Sequence, residues 1–167
     1  MIYSYLQNYS KTLLTAALVT LIAGNALMIT PTATQAGEST SQAISSLKKQ
    51  QVRWIQIDLK RQRLFAWEGK TQVHAVVIST GKDATPTLPG VFEIQSKHKI
   101  TRMRGDNYDI PDVPYVMFYD GSYGIHGAYW HRSFGMPVIH GCVNLAVDQA
   151  RWFFDWASVG TPVVVTQ

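Results

Sequence analysis

From Val52 onward the chain consists of short alternating apolar runs broken by turn residues, and this pattern constrains the fold more than any other feature. Arg53-Trp54-Ile55-Gln56-Ile57-Asp58-Leu59 places Ile55, Ile57 and Leu59 on one face, the period of two expected of a half-buried strand. Lys60-Arg61-Gln62 turns the chain, Arg63-Leu64-Phe65-Ala66-Trp67 returns it, and Glu68-Gly69-Lys70 turns it again. The run from Val73 to Ser79 reads as a strand buried over most of its length. Residues 81–90 hold two prolines and two glycines and read as a loop, after which Val91-Phe92-Glu93-Ile94-Gln95 resumes the alternation. Residues 101–114, polar and carrying Pro111 and Pro114, read as a longer loop. Tyr115 to Tyr119, an Asp120-Gly121 turn and Tyr123 to His126 read as a hairpin.

A helical period emerges only near the end. Val147, Ala150, Phe154 and Ala157 recur three or four residues apart, with Asp148 in the first turn and Gly160 after the last. Thr161 to Val165 reads as a closing strand. The expected fold class is therefore mainly β, with one substantial helix in the C-terminal region.

Composition narrows the function classes. The 167 residues are 46% hydrophobic, with five Trp and eight Tyr, which excludes a disordered chain. Only 16% are charged, the net charge is +4, and no run of five like charges occurs, so a nucleic-acid-binding arm is not expected. A single cysteine, Cys142, excludes a disulfide framework within the chain.

The first 36 residues carry one charge, Lys11, and Leu13 to Ile29 carry none. A small-residue stretch, Thr30 to Gly37, follows. This reads as a secretory signal over residues 1–36, cleaved after Ala36, with a retained membrane anchor as the alternative. Residues 37–51 are polar and small and read as a linker, leaving 52–167 as the functional domain. The expected location is outside the cytoplasmic membrane, in the periplasm or cell wall.

An unpaired thiol in an exported protein calls for a reason. A lone cysteine is often a small buried apolar residue. Cys142, however, sits in Ile139-His140-Gly141-Cys142-Val143-Asn144, where Gly141 clears space for a substrate carbonyl and successive backbone N–H groups suit an oxyanion. A thiol needs an imidazole to become an effective nucleophile at neutral pH. His140 would stand parallel to Cys142 on a straight strand, which is poor geometry for a hydrogen bond, whereas His126 comes from a neighbouring strand. Spacing favours His126 without excluding His140.

The segments Gly124-Ile125-His126-Gly127-Ala128-Tyr129-Trp130-His131, Phe134-Gly135-Met136-Pro137 and His140-Gly141-Cys142-Val143-Asn144-Leu145 resemble the active-site block of the L,D-transpeptidase catalytic (YkuD) domain family. Ser79-Thr80-Gly81, Thr85-Pro86 with Pro89-Gly90-Val91-Phe92, Asp112-Val113-Pro114 and Gly160-Thr161-Pro162-Val163 extend the resemblance over about residues 52–167. It implies a β-sandwich fold and a two-step acyl transfer without a cofactor. Cys142 would be the nucleophile and His126 the general base and acid, oriented by the Gly127 carbonyl. Gly141 and Cys142 N–H groups would hold the oxyanion, and His140 would support the site. The resting pair is then either neutral or already thiolate–imidazolium. Tyr129, Trp130, Arg132 and Asn144 are the candidate substrate contacts, Arg132 being suited to a stem-peptide carboxylate. The implied partners are peptidoglycan stem peptides, with an amine of a second stem peptide or of a protein as acceptor, and the implied inhibitors are carbapenems.

Two features depart from the family pattern. Ile139 stands where a Ser or Thr is usual, and the twelve residues between His126 and Ile139 make a short spacer. Three alternatives remain in view: an L,D-carboxypeptidase using water as acceptor, a non-catalytic wall-binding module, and a zinc site built from His126, His131, His140 and Cys142. The last lacks any compact ligand pair of the kind that anchors such sites.

Overall fold

The computed structural model describes residues 33–105, 108–138 and 140–167. Two sheets face each other with the core between them. The first has the order β3-β2-β1-β9-β4, built from β1 (Arg53–Asp58), β2 (Arg63–Glu68), β3 (Thr71–Val77), β4 (Gly90–Glu93) and β9 (Pro162–Thr166). The second has the order β5-β6-β7-β8, built from β5 (Ser96–Gly105), β6 (Tyr108–Asp120), β7 (Tyr123–Gly127) and β8 (Val143–Leu145). Most pairings are antiparallel, but β1–β9 and β7–β8 are parallel. Helix α2 (Val147–Trp156) adds Ala150 and Phe153 to the shared core. The fold is thus mainly β with a helix near the C-terminus, as the alternation implied.

Between the sheets, Ile55, Ile57, Leu64, Val163 and Val165 meet Met117, Ile125, Val143 and Leu145. Sheet pleating sends alternate residues to opposite faces, which is why Trp54 and Val164 belong to a second cluster on the far side of the first sheet. That far side is covered by α1 (Ala33–Lys49). Residues 37–51, expected as a linker, are therefore mostly helix. Their composition is polar, but Thr40, Ala43, Ile44 and Leu47 fall on one helical stripe, and Ala43, Ile44 and Leu47 pack with Trp54, Trp67 and Val164. Lys48 lies over the Trp67 ring at 5.0 Å, and Lys48 and Lys49 complement the helix dipole in its last turn. The expected signal segment lies outside the described residues up to Thr32; its last four residues begin α1.

Two other expectations are corrected. The strand beginning at Val73 is not buried over most of its length: β3 is an edge strand, with Val73 and Val77 about two-fifths exposed. Within it only Val76 is buried, and continuous burial begins beyond it, at Ile78, Ser79 and Thr80. Residues 101–114 are not a loop but the distal half of a long hairpin, with Thr101 opposite Val113 and Met103 opposite Ile110. Pro111 and Pro114 fit there because β7 pairs with β6 only from Met117 onward, so this part of β6 keeps one open edge. The register also shifts between Thr101 and Met103, opposite the left-handed Asp112.

Helix α2 starts at Ala146 without a side-chain cap. At its other end Lys97 Nζ donates to the Phe154 and Ala157 carbonyls, a cation on the negative pole of the dipole.

Candidate active site

The parallel pairing of β7 and β8 sets the geometry of the site. His126 lies opposite Asn144 and Ile125 opposite Val143, so Cys142, one residue before β8, falls beside Gly124. Alternation then directs His126, Asn144 and Cys142 to the same face, the one turned away from the core. Both the thiol and the imidazole border one cavity of about 370 Å³. Met103, Ile110 and Val113 of the β5–β6 hairpin wall it on one side, and Trp130, His131 and Val138 on another.

His126 is 3% exposed. Its Nδ1–H donates to the Gly127 carbonyl at 3.1 Å, which fixes the tautomer and leaves Nε2 with a free lone pair. Burial holds the imidazole pKa down at about 4, opposed by the Gly127 bond and assisted by neighbouring His131. Cys142 is 8% exposed, and its Sγ–H points to the Ser122 carbonyl at 3.7 Å. Burial pushes the thiol pKa up, partly offset by the Gly124 backbone N–H. For each group burial thus works toward the neutral form, the thiol of Cys142 and the neutral imidazole of His126.

Gly141 lies in the left-handed region at φ +84°, where a side chain is strained, and a Cβ there would come within 2.5 Å of the Tyr123 ring. His140 is exposed, borders the cavity and has its ring 5.5 Å from that of Tyr108. Of the expected substrate contacts, Trp130 and Asn144 line the cavity, with Trp130 5.9 Å from His126 ring to ring. Tyr129 and Arg132 are not among the lining residues; Tyr129 donates its hydroxyl to the Pro111 carbonyl at 2.8 Å, tying the 128–141 loop to the hairpin. Ile139 lies outside the described residues.

His131 ends the first motif segment, and apart from the zinc alternative no role for it is legible in the sequence. Its Nδ1 accepts the Ser133 N–H at 3.2 Å, and its Nε2 lies 2.9 Å from the Asn144 side-chain amide. Burial lowers its pKa, so the ring is neutral and carries a single proton. With Nδ1 accepting, that proton is on Nε2, and the amide must turn its oxygen toward it. That orientation gives the amide oxygen, which is otherwise buried without a partner, a donor. No group of three or more His, Cys, Asp or Glu among the described residues is arranged to hold a metal ion.

Beyond β3 the chain runs along β8. Ser79 and Asn144 exchange backbone hydrogen bonds at 3.0 and 2.8 Å, and Val138 N–H donates to Thr80 O at 3.0 Å. The Thr80 position is itself held by Gln62, whose amide donates to Thr80 Oγ1 at 2.7 Å and accepts the Thr80 N–H at 3.0 Å. The site loop is therefore moored to the first β-hairpin of the other sheet.

A β-sandwich with a Cys–His pair at adjoining parallel strands defines a class. The L,D-transpeptidase catalytic domain family (YkuD) matches residues 52–165, and the chain belongs to that family. Among curated relatives, L,D-transpeptidase 2 of Mycobacterium tuberculosis is 32% identical over 108 residues, covering 56% of this chain and 26% of that protein. L,D-transpeptidase 1 of the same species is 35% identical over 100 residues, covering 52% of this chain and 39% of that protein. The chain thus spans well under half the length of either. The catalytic domain of the Enterococcus faecium L,D-transpeptidase superposes with a TM-score of 0.64 at 29% identity, covering 70% of this chain and 98% of that one. The LD transpeptidase LdtMt1 in complex with imipenem gives 0.65 at 26%, covering 69% and 59%.

Proposed function

We propose that the protein is an exported, cysteine-dependent L,D-transpeptidase acting on peptidoglycan stem peptides. The observation that carries this reading is the placement of Cys142 and His126 on one face of the β7–β8 pair, in one cavity, with His126 Nδ1 committed to the Gly127 carbonyl. That leaves Nε2 as the base. Cys142 Sγ attacks the carbonyl of the third residue of a stem tetrapeptide while its proton passes to His126 Nε2. Backbone N–H groups at Gly141 and Cys142 receive the negative charge that develops on oxygen. The tetrahedral intermediate collapses as the His126 imidazolium protonates the departing D-alanine amine. An incoming amine then gives a proton to His126 and resolves the thioester, regenerating the thiol.

The imidazole begins neutral because it is buried, so it is ready to accept a proton over the whole neutral range. The largely apolar cavity wall of Met103, Ile110, Val113, Trp130 and Val138 limits water and favours an amine acceptor over hydrolysis. His140, exposed at the rim, supports rather than performs the proton transfer, and Trp130 and Asn144 are the substrate contacts nearest the pair. Carbapenem sensitivity follows from the same acylation chemistry, and a relative of this fold has been captured with imipenem.

The deciding experiment incubates the protein with a defined tetrapeptide donor and a set of amines, read by mass spectrometry. A Cys142 acyl-enzyme, released D-alanine and an amine-linked product are expected. Tripeptide alone would make it an L,D-carboxypeptidase, and no adduct at Cys142 would end the catalytic reading.

A further inference from the structure

We propose that Thr87 is a positioning residue for the oxyanion-binding peptide of the site: its buried hydroxyl sets the direction of the Cys142 N–H. The inference rests on the acyl-transfer reading above. Thr87 lies in the 81–90 loop, 3% exposed and 54 residues from Gly141 in sequence. Its Oγ1 accepts the Gly81 N–H at 2.9 Å and donates to the Gly141 carbonyl at 2.8 Å, with the Cys142 carbonyl further away at 3.3 Å. A hydroxyl has one proton, so the nearer Gly141 carbonyl is its main acceptor.

The consequence follows from peptide geometry. The peptide between Gly141 and Cys142 is planar and trans, as no cis bond occurs among the described residues, so its C=O and N–H point in opposite directions. Drawing the Gly141 oxygen toward Thr87 turns the Cys142 N–H away from the 81–90 loop. Cys142, which carries that N–H, itself borders the cavity.

Among the described residues, Thr87 is the side chain that hydrogen-bonds this peptide. Gly141 has no side chain, and its left-handed φ is permissive rather than restraining. The Tyr123 ring limits movement on one side, since a Cβ on Gly141 would lie 2.5 Å from it. The 81–90 loop closes on it as well, with the Pro86 carbonyl 3.4 Å from that Cβ position and Thr87 bonded to the Gly141 carbonyl. Gly81 permits the approach: a Cβ there would sit 2.7 Å from the Thr87 nitrogen and 2.8 Å from the Gly141 nitrogen. The same contact places the Gly141 nitrogen beside the 81–90 loop, which makes the Cys142 N–H the better-directed donor of the two.

The test separates oxyanion formation from thiol reactivity. Imipenem and a tetrapeptide donor acylate Cys142 through addition to a carbonyl, whereas iodoacetamide alkylates it by displacement at a saturated carbon, with no oxyanion. In the full chain, Thr87→Val removes the hydroxyl with little change of shape, and Thr87→Ser retains it. Thr87→Val is expected to slow both acylations about tenfold to a hundredfold, somewhat less than outright loss of an oxyanion donor. It should leave the alkylation rate within about twofold of wild type, and Thr87→Ser should restore acylation. Wild-type acylation rates in Thr87→Val would overturn the proposal, as would an equal fall in acylation and alkylation. If Thr87→Val does not fold, Thr87→Ala gives the same comparison. A wild-type protein that iodoacetamide alkylates but neither donor acylates refutes the functional reading, and this inference with it.

Discussion

The two faces of the β5–β8 sheet are made by alternate residues of the same strands, yet they do different work. On the inner face Met117, Ile125, Val143 and Leu145 are wholly buried against the other sheet. On the outer face Val116, His126, Cys142 and Asn144 are also closed to water, by the β5–β6 hairpin and the 128–141 loop. Burial is thus not what distinguishes core from site. The inner face buries apolar side chains, with the Tyr119 hydroxyl as its polar exception, and gains stability from doing so. The outer face buries a thiol, an imidazole and an amide, and each has to find a partner: Ser122 O, Gly127 O and His131. Desolvation there tunes proton affinities instead of adding stability.

The sharpest break between the faces comes from Cys142→Ala. Acylation by imipenem and by a tetrapeptide donor should disappear in intact-protein mass spectra, while the melting temperature changes by only a few degrees. Residual acylation would move the nucleophile elsewhere. Next in size, His126→Gln should slow acylation about 10²- to 10⁴-fold, the usual contribution of a general base, and His140→Gln less than about tenfold. Equal losses would mean that the buried ring has no special role. The reverse dissociation is expected on the inner face. Met117→Ala should cost about 2–5 kcal/mol in urea unfolding and leave the acylation rate per folded molecule unchanged.

The smallest effect is the stability cost of the buried imidazole in acid. His126 has a folded pKa of about 4 against an ordinary 6.5, so between these values the unfolded chain binds the extra proton. Stability is therefore full above about pH 6.5, falls as the pH drops toward 4, and changes no further from this group below that. The loss amounts to about 3 kcal/mol. Denaturant titrations at pH 7 and pH 4 should show it, and His126→Gln should flatten the difference. An unchanged slope in that variant would place the acid sensitivity on other groups.

What could be read from the sequence follows from how local each signal is. β1, β2, β9 and α2 carry their period within a few residues, so their faces are visible without knowledge of the neighbours. The exposure of β3 is not legible because being an edge strand is a property of the sheet, and no pattern in Thr71–Val77 records it. The distal β5–β6 hairpin reads as a loop because its prolines and charges suit one. What keeps it extended is cross-strand pairing, including Arg102 with Asp109, whose carboxyl is held at about 2 chiefly by that hydrogen bond. α1 hid a four-residue stripe inside polar composition. In the site, the His–Cys motif is compact enough in sequence to nominate both residues. The contacts of Thr87 with Gly141 and of Gln62 with Thr80 join distant segments through space and leave no local trace.

The position of β9 has a consequence for how the molecule is made. Pro162–Thr166 lies between β1 and β4, pairing Ile55 with Val163 and Phe92 with Val163 from opposite sides. Until those residues have been synthesised, the first sheet lacks an interior strand and β4 has no partner within it. Joining β1 to β9 closes a separation of more than 100 residues and carries a loop-closure cost that the local hairpins β1–β2–β3 and β5–β6–β7 avoid. The first sheet should therefore stay incomplete until β9 is present. A version ending before Pro162 should show no cooperative unfolding transition.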